Sequence, residues 1–286
     1  MSNAPTPSLV RDLLRSVLPQ ECGVRVEPVD EGGEHSTWWV GDRHVLRLTL
    51  DRDAAVRQAR EIALRDAVRD HVRVPVPVSV AHGVWAPGLT YTLDTRLSGV
   101  SAERRDLTGE GEADLGRLLA GLRGLSPEVV AGLHLPLQEP RLIEPLRKAA
   151  EDAVRRLAAD GFVPGGLMER CPADAVPSPA EVVVLHNDLK GEHLLVGSGG
   201  GVSGVLDWAD AVVGDAAEDV AGVVLAVGVA ACRRVVAASG YPVGVYERGV
   251  GLARYDTVVR LAERLYGTDD SPVALLRAQL GRAWGL

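Results

Sequence analysis

The chain has 286 residues, of which 46% are hydrophobic and 24% charged. That is long enough for two lobes around a cleft and far from the composition of disorder. A formal charge of −8 argues against a partner held through a phosphate backbone and suits cationic small molecules. The N-terminal stretch has no long apolar core behind a basic start, and no run reaches the roughly 18 uninterrupted apolar residues of a membrane span. A cytoplasmic protein with no nucleic-acid or membrane partner is expected. Cys22, Cys171 and Cys232 lack CxxC spacing and read as reduced, mostly buried thiols.

In chain order, residues 7–18 carry apolar side chains at helical spacing with Pro7 near the start, which predicts a short amphipathic helix. The runs VRVEPV (24–29), STWWVG (36–41) and HVLRLTL (44–50) read as three antiparallel strands. Residues 54–72, rich in Arg, Ala and Glu without Gly or Pro, read as a helix ended by VPVPVSV. Strands over 76–84 and 89–96 complete a five-stranded sheet, and LSGVSAERR (97–105) reads as a joint between lobes. Helices follow at about 110–124, 140–160, 215–238, 245–265 and 271–284, interrupted by a strand pair near 193–207 that turns on GSGGG.

The richest stretch is 182–216, VVVLHNDLKGEHLLVGSGGGVSGVLDWADAVVGDA. A buried run delivers His186-Asn187-Asp188; His193 follows a tight loop, and Asp207 arrives through a hairpin. Transfer of a nucleotide's terminal phosphoryl group to an alcohol needs one carboxylate to orient the hydroxyl and two ligands for the cation that bridges the phosphates. Asp188 suits the first role, and His193 with Asp207 can converge on the same space.

The pattern His186-x-Asp188-x-x-x-x-His193 followed by Leu206-Asp207-Trp208 resembles the catalytic loop and metal motif of the aminoglycoside phosphotransferases, relatives of the protein kinases. His193 stands where asparagine is usual, as in the gentamicin-type 2″-phosphotransferases and the macrolide phosphotransferases. The resemblance implies metal ligation by His193 and Asp207. Gly214-Asp215-Ala216-Ala217-Glu218-Asp219-Val220 is similar to the family's GDPxxDLA, which implies that Asp219 braces the catalytic loop; Asp215 could cap the next helix.

Val45-Leu46-Arg47-Leu48 resembles the third-strand segment with the phosphate-binding cation, and Glu61 stands where the pairing glutamate does. The loop 30–36, with Gly32, Gly33 and Ser36, fits the nucleotide-covering flap, and Tyr91 to Gly99, with Thr95 and Leu97, is similar to the strand and linker that meet the base. The implied fold is α+β and bilobal, protein-kinase-like: a nucleotide-binding lobe over 1–97 with an antiparallel sheet and one main helix, and a larger, mostly helical catalytic lobe over 98–286. The implied activity is a Mg2+-dependent kinase that moves the terminal phosphoryl group of ATP or GTP to a hydroxyl of an aminoglycoside or related cationic antibiotic, conferring resistance. Asp210 is the expected acceptor-side carboxylate, with Glu218, Glu247 and Asp256 weighed beside it. The alternatives are a macrolide kinase or another small-molecule kinase acting on a sugar, an amino alcohol or a peptide antibiotic; a nucleotide-binding pseudokinase is disfavoured by the complete set of site residues.

Overall fold

The computed structural model describes residues 5–21, 23–29, 35–171 and 176–286. Helix α1 (Pro7–Val17) is capped by Thr6, whose side chain accepts from Leu9 N, and buries Val10 and Leu14. They rest on an antiparallel sheet of β1 (Val26–Pro28), β2 (His35–Val40), β3 (His44–Thr49), β4 (Ser79–Ala86) and β5 (Leu89–Thr95), in the order β1-β2-β3-β5-β4. Strand alternation sorts the side chains. Trp38, Val40, Leu46, Leu48, Tyr91 and Leu93 form one core with α1, while Arg47 and Asp94 project from the opposite face. Helix α2 (Arg52–Val72) joins β3 to β4, its first turn capped by Asp51, which accepts from Ala54 N.

The fourth strand begins at Ser79 rather than 76, because Pro75 and Pro77 cannot donate to a ladder. The expected joint over 97–105 contains a strand of its own. β6 (Val100–Ser101) pairs with β8 (Leu194–Val196), which pairs with β9 (Val202–Val205), so the connection between the halves is stitched into the hairpin that carries the site. Two further features were not expected. A short helix, α4 (Pro127–Leu133), starts at a Ser126 cap followed by proline. Strand β7 (Val182–Leu185) pairs antiparallel with β10 (Val212–Asp215).

Helices α3 (Gly109–Arg123), α5 (Ile143–Ala159), α6 (Ala217–Ser239), α7 (Val243–Tyr266) and α8 (Val273–Trp284) surround a second, larger core. α6 is long and apolar enough to cross a membrane by length and composition, but its apolar residues pack into that core, and it bends at Gly228, which has φ 82°. Leu64, Val68 and Val72 on α2 join the same core, so α2 is shared between the sheet and the helical half. Cys171 and Cys232 are buried free thiols; Cys22 lies outside the described residues.

Candidate active site

A cleft of about 790 Å³ separates the sheet from the β7–β10 region. Its upper wall is the face of the sheet turned away from α1, with Thr37, Trp39, Val45 and Arg47. Its lower wall carries His193, Leu195, Leu206 and Asp207. Thr95 and Leu97 line its back, and Asp210 is exposed at its edge. Ser36 is not in the cleft. One-residue alternation places it on the Trp38 side of β2, where its hydroxyl accepts from the Trp38 indole at 2.9 Å, and its neighbours His35 and Thr37 face the cleft instead. Gly32 and Gly33 lie outside the described residues.

On the upper wall, Arg47 Nη2 donates to Glu61 Oε2 at 2.8 Å and lies 3.2 Å from Asp94 Oδ2. The other half of this cluster, Arg65 and Asp94, was not expected from the sequence. Arg65 grips Asp94 through two nitrogens at 3.0 and 3.1 Å and lies 3.7 Å from Glu61. Two cations and two carboxylates, all nearly or fully buried, thus neutralise one another. Burial alone would lower the Arg47 pKa, but Glu61 and Asp94 outweigh it and raise the value. Nothing among the described residues accepts from Arg47 Nε. The signals available were an aspartate inside the otherwise uncharged strand run 89–95 and an arginine one helical turn after Glu61.

On the lower wall, Asp219 organises the loop that carries Asp188. Its two carboxylate oxygens accept from His186 N at 2.9 Å and Asn187 N at 2.7 Å. Asn187 adopts the left-handed region at φ 66°, a conformation asparagine tolerates and most residues resist. Burial pushes Asp219 up to about 7, with the two amide bonds working against it. His186 links this loop to the metal motif: its Nε2 lies 2.9 Å from the Leu206 carbonyl, and Nδ1 takes the Asp188 amide at 3.3 Å. Those partners select the neutral tautomer with the proton on Nε2, and burial pushes its pKa down to about 4. Trp208 packs edge-on against the ring at 4.6 Å.

The next residue after Leu206 is Asp207, also left-handed at φ 58° and half exposed. His193 faces it. His193 Nδ1 lies 2.9 Å from the Asp188 carbonyl oxygen and 3.2 Å from its carboxylate, and Nε2 lies 3.7 Å from Asp207 Oδ2. A proton on Nδ1 satisfies both acceptors and leaves the Nε2 lone pair directed at Asp207, the form a metal ligand requires. Among the described residues no three metal-ligating side chains converge. A pair is nevertheless enough for Mg2+, which keeps water and phosphate oxygens in its shell. Lys190, which no motif singles out, holds Asp188 Oδ1 at 2.9 Å.

The cap position of α6 is Ala216 rather than Asp215; Asp215, just before it, accepts from Ala217 N at 3.1 Å and forms a buried pair with Arg248. Glu218 and Asp256 are neither free acceptor carboxylates nor solvated surface. Arg141 holds both, at 2.6 to 3.0 Å.

The profile of the phosphotransferase enzyme family matches residues 25–270. Viomycin phosphotransferase of Streptomyces vinaceus is 28% identical over 242 residues, covering 81% of this chain and 83% of that protein. Among solved structures, the GDP complex of aminoglycoside 2′-phosphotransferase-IIIa superposes with a TM-score of 0.70 at 16% identity, covering 98% of this chain and 99% of that one. A macrolide 2′-phosphotransferase of Brachybacterium faecium superposes at 0.63 and 22% identity, covering 96% and 97%. At these identities the superpositions speak for the fold.

Proposed function

Given that this chain belongs to the phosphotransferase enzyme family, we propose that it transfers the terminal phosphoryl group of a nucleoside triphosphate to a hydroxyl of an aminoglycoside or related cationic antibiotic, and so confers resistance to it. The observation that carries this reading is that His193 and Asp207 line one wall of a cleft whose other wall presents Arg47, with the Asp188 carboxylate 3.2 Å from the His193 ring. The similarity to viomycin phosphotransferase and the net charge of −8 support an antibiotic acceptor with cationic groups.

The nucleotide lies along the cleft, its base near Thr95 and Leu97 and between Val45 above and Leu195 and Leu206 below. The guanidinium of Arg47, oriented by Glu61 and Asp94, meets the phosphates, and a phosphate oxygen supplies an acceptor for its Nε–H. His193 Nε2 and Asp207 would hold Mg2+, which when bound would offset the negative charge of the triphosphate. Asp188 orients the acceptor hydroxyl in line with the terminal phosphorus and takes its proton as the new O–P bond forms and the bond to the leaving diphosphate breaks. Lys190, on the same carboxylate, keeps a positive charge beside the transferring group. Positioning and charge stabilisation dominate this chemistry, and no phosphoenzyme is required.

The test is a coupled nucleotide-turnover assay with ATP and with GTP across aminoglycosides, macrolides and viomycin. Turnover stimulated by one of these acceptors is expected, and Asp188→Ala should abolish it while leaving nucleotide binding within a fewfold of the parent. Full activity in that variant would exclude the mechanism. Stimulation by macrolides alone would assign the acceptor to the second class of structural relatives.

A further inference from the structure

The turn between Asp188 and His193 is gripped from below by the C-terminal helix, which lies beyond the segment matched by the family profile. Gly191–His193 forms a single helical turn, closed by His193 N donating to Lys190 O at 3.0 Å. Glu192, in its middle, accepts from Gln279 Nε2 at 3.2 Å, and Gln279 is a fully buried residue of α8. One helical turn further along α8, Arg282 Nη1 binds both oxygens of Glu103 at 2.8 Å and the Leu225 carbonyl at 2.9 Å. Glu103 in turn lies against Gly191, so close that any side chain at 191 would overlap its carboxylate. Ser101, two residues earlier, donates to the Gly191 carbonyl at 2.9 Å.

The turn therefore carries one carboxylate, Glu192, and lies against another of like charge, Glu103 from the joint. Both are anchored by one face of α8.

We infer that Gln279 and Arg282 are positioning residues of the active site: through Glu192 and Glu103 they fix the turn that sets the separation of Asp188 from His193. The inference rests on the phosphotransferase reading of that site. Neither residue touches the cleft. If the anchor is lost, the uncompensated Glu103 and Glu192 push the turn apart, and His193 leaves its place opposite Asp207.

Arg282→Met, Gln279→Met and the double variant Glu103→Gln/Arg282→Met test this on the whole chain, with hydrogen exchange of the 186–194 segment measured beside kinetics. The two single variants should exchange about tenfold faster at Lys190 and His193, with exchange in α6 and α7 unchanged. They should lose about tenfold in kcat and need more Mg2+ for half-maximal rate, while the nucleotide KM moves less than threefold. The double variant, which removes the carboxylate left unpaired, should recover most of both effects. Unchanged exchange in 186–194, or an increase spread equally over α6 and α7, would overturn the inference. A parent enzyme without phosphoryl transfer would sink the functional reading instead and leave the exchange result to decide this one.

Discussion

Arg47 is fixed by Glu61 and Asp94, distant in sequence, whereas Asp188 is held by its near neighbours Lys190 and His193. Arg47→Lys keeps a charge beside Glu61 and Asp94 but loses the planar fork that spans two carboxylates and a phosphate. Nucleotide KM should rise severalfold, with a melting temperature close to the parent. Arg47→Met instead leaves two buried carboxylates facing Arg65 alone and should destabilise the fold by about 3 to 5 kcal/mol, measurable by urea unfolding. His186 yields a pH prediction. Unfolded, it takes a proton below its ordinary 6.5; folded, only below about 4. The unfolded chain therefore binds more protons between those values, and acidification removes stability. Asp219, pushed up to about 7, works with the opposite sign over the same range, so a raw stability profile would hide both. The stability gap between the parent and His186→Gln should narrow by about 2 kcal/mol from pH 7 to pH 5. A gap independent of pH would mean that His186 is not held neutral.

At the level of elements, the loop that bears Asp188 is seated on α6. A Cβ added at Gly222 would lie 2.5 Å from the Leu189 carbonyl oxygen and 2.8 Å from its carbon, so backbone meets backbone and neither can rotate away. Gly222→Ala should push the loop off α6, lowering kcat tenfold or more and stability by about 1 to 3 kcal/mol. Kinetics and thermal unfolding of that one variant check both. Asp219, on the same helix three residues earlier, holds the loop through His186 N and Asn187 N, so α6 both repels and tethers it at a fixed height. The β8–β9 hairpin performs the matching task for Asp207. Leu206 N donates to the His193 carbonyl at 2.9 Å, which brings Asp207 beside His193 although 14 positions separate them.

Across the whole molecule, the cleft lies between two halves joined by the joint strand β6 and by the shared core of α2. A nucleotide that bridges Arg47 and Asp207 binds only when both halves are folded. At a hundred times its dissociation constant it should stabilise the protein by about 2.7 kcal/mol and raise the melting temperature by several degrees. Chelation of Mg2+ should remove most of that gain. No shift at saturating nucleotide would rule out the cleft as its site.

Most strands and helices in chain order, and the grouping of Asp188, His193 and Asp207, were legible in the sequence. Their signals are local: hydrophobic period, proline and glycine breaks, and a loop and hairpin short enough to leave little freedom between the groups they bring together. Arg65 with Asp94, 29 positions apart, and Arg282 with Glu103, 179 apart, have no such signal, because their pairing is decided by how strands and helices stack and not by distance along the chain. Ser36 shows the same limit at its smallest scale. Its place in the flap run was visible, but which face of β2 it occupies turns on a single residue of register, and that is set by the core beneath Trp38. Sequence alone thus determined the fold class and named candidate groups for the chemistry. Tertiary packing decided which of them are held in place and by what, since a buried charge keeps its position only where distant segments supply the opposite charge.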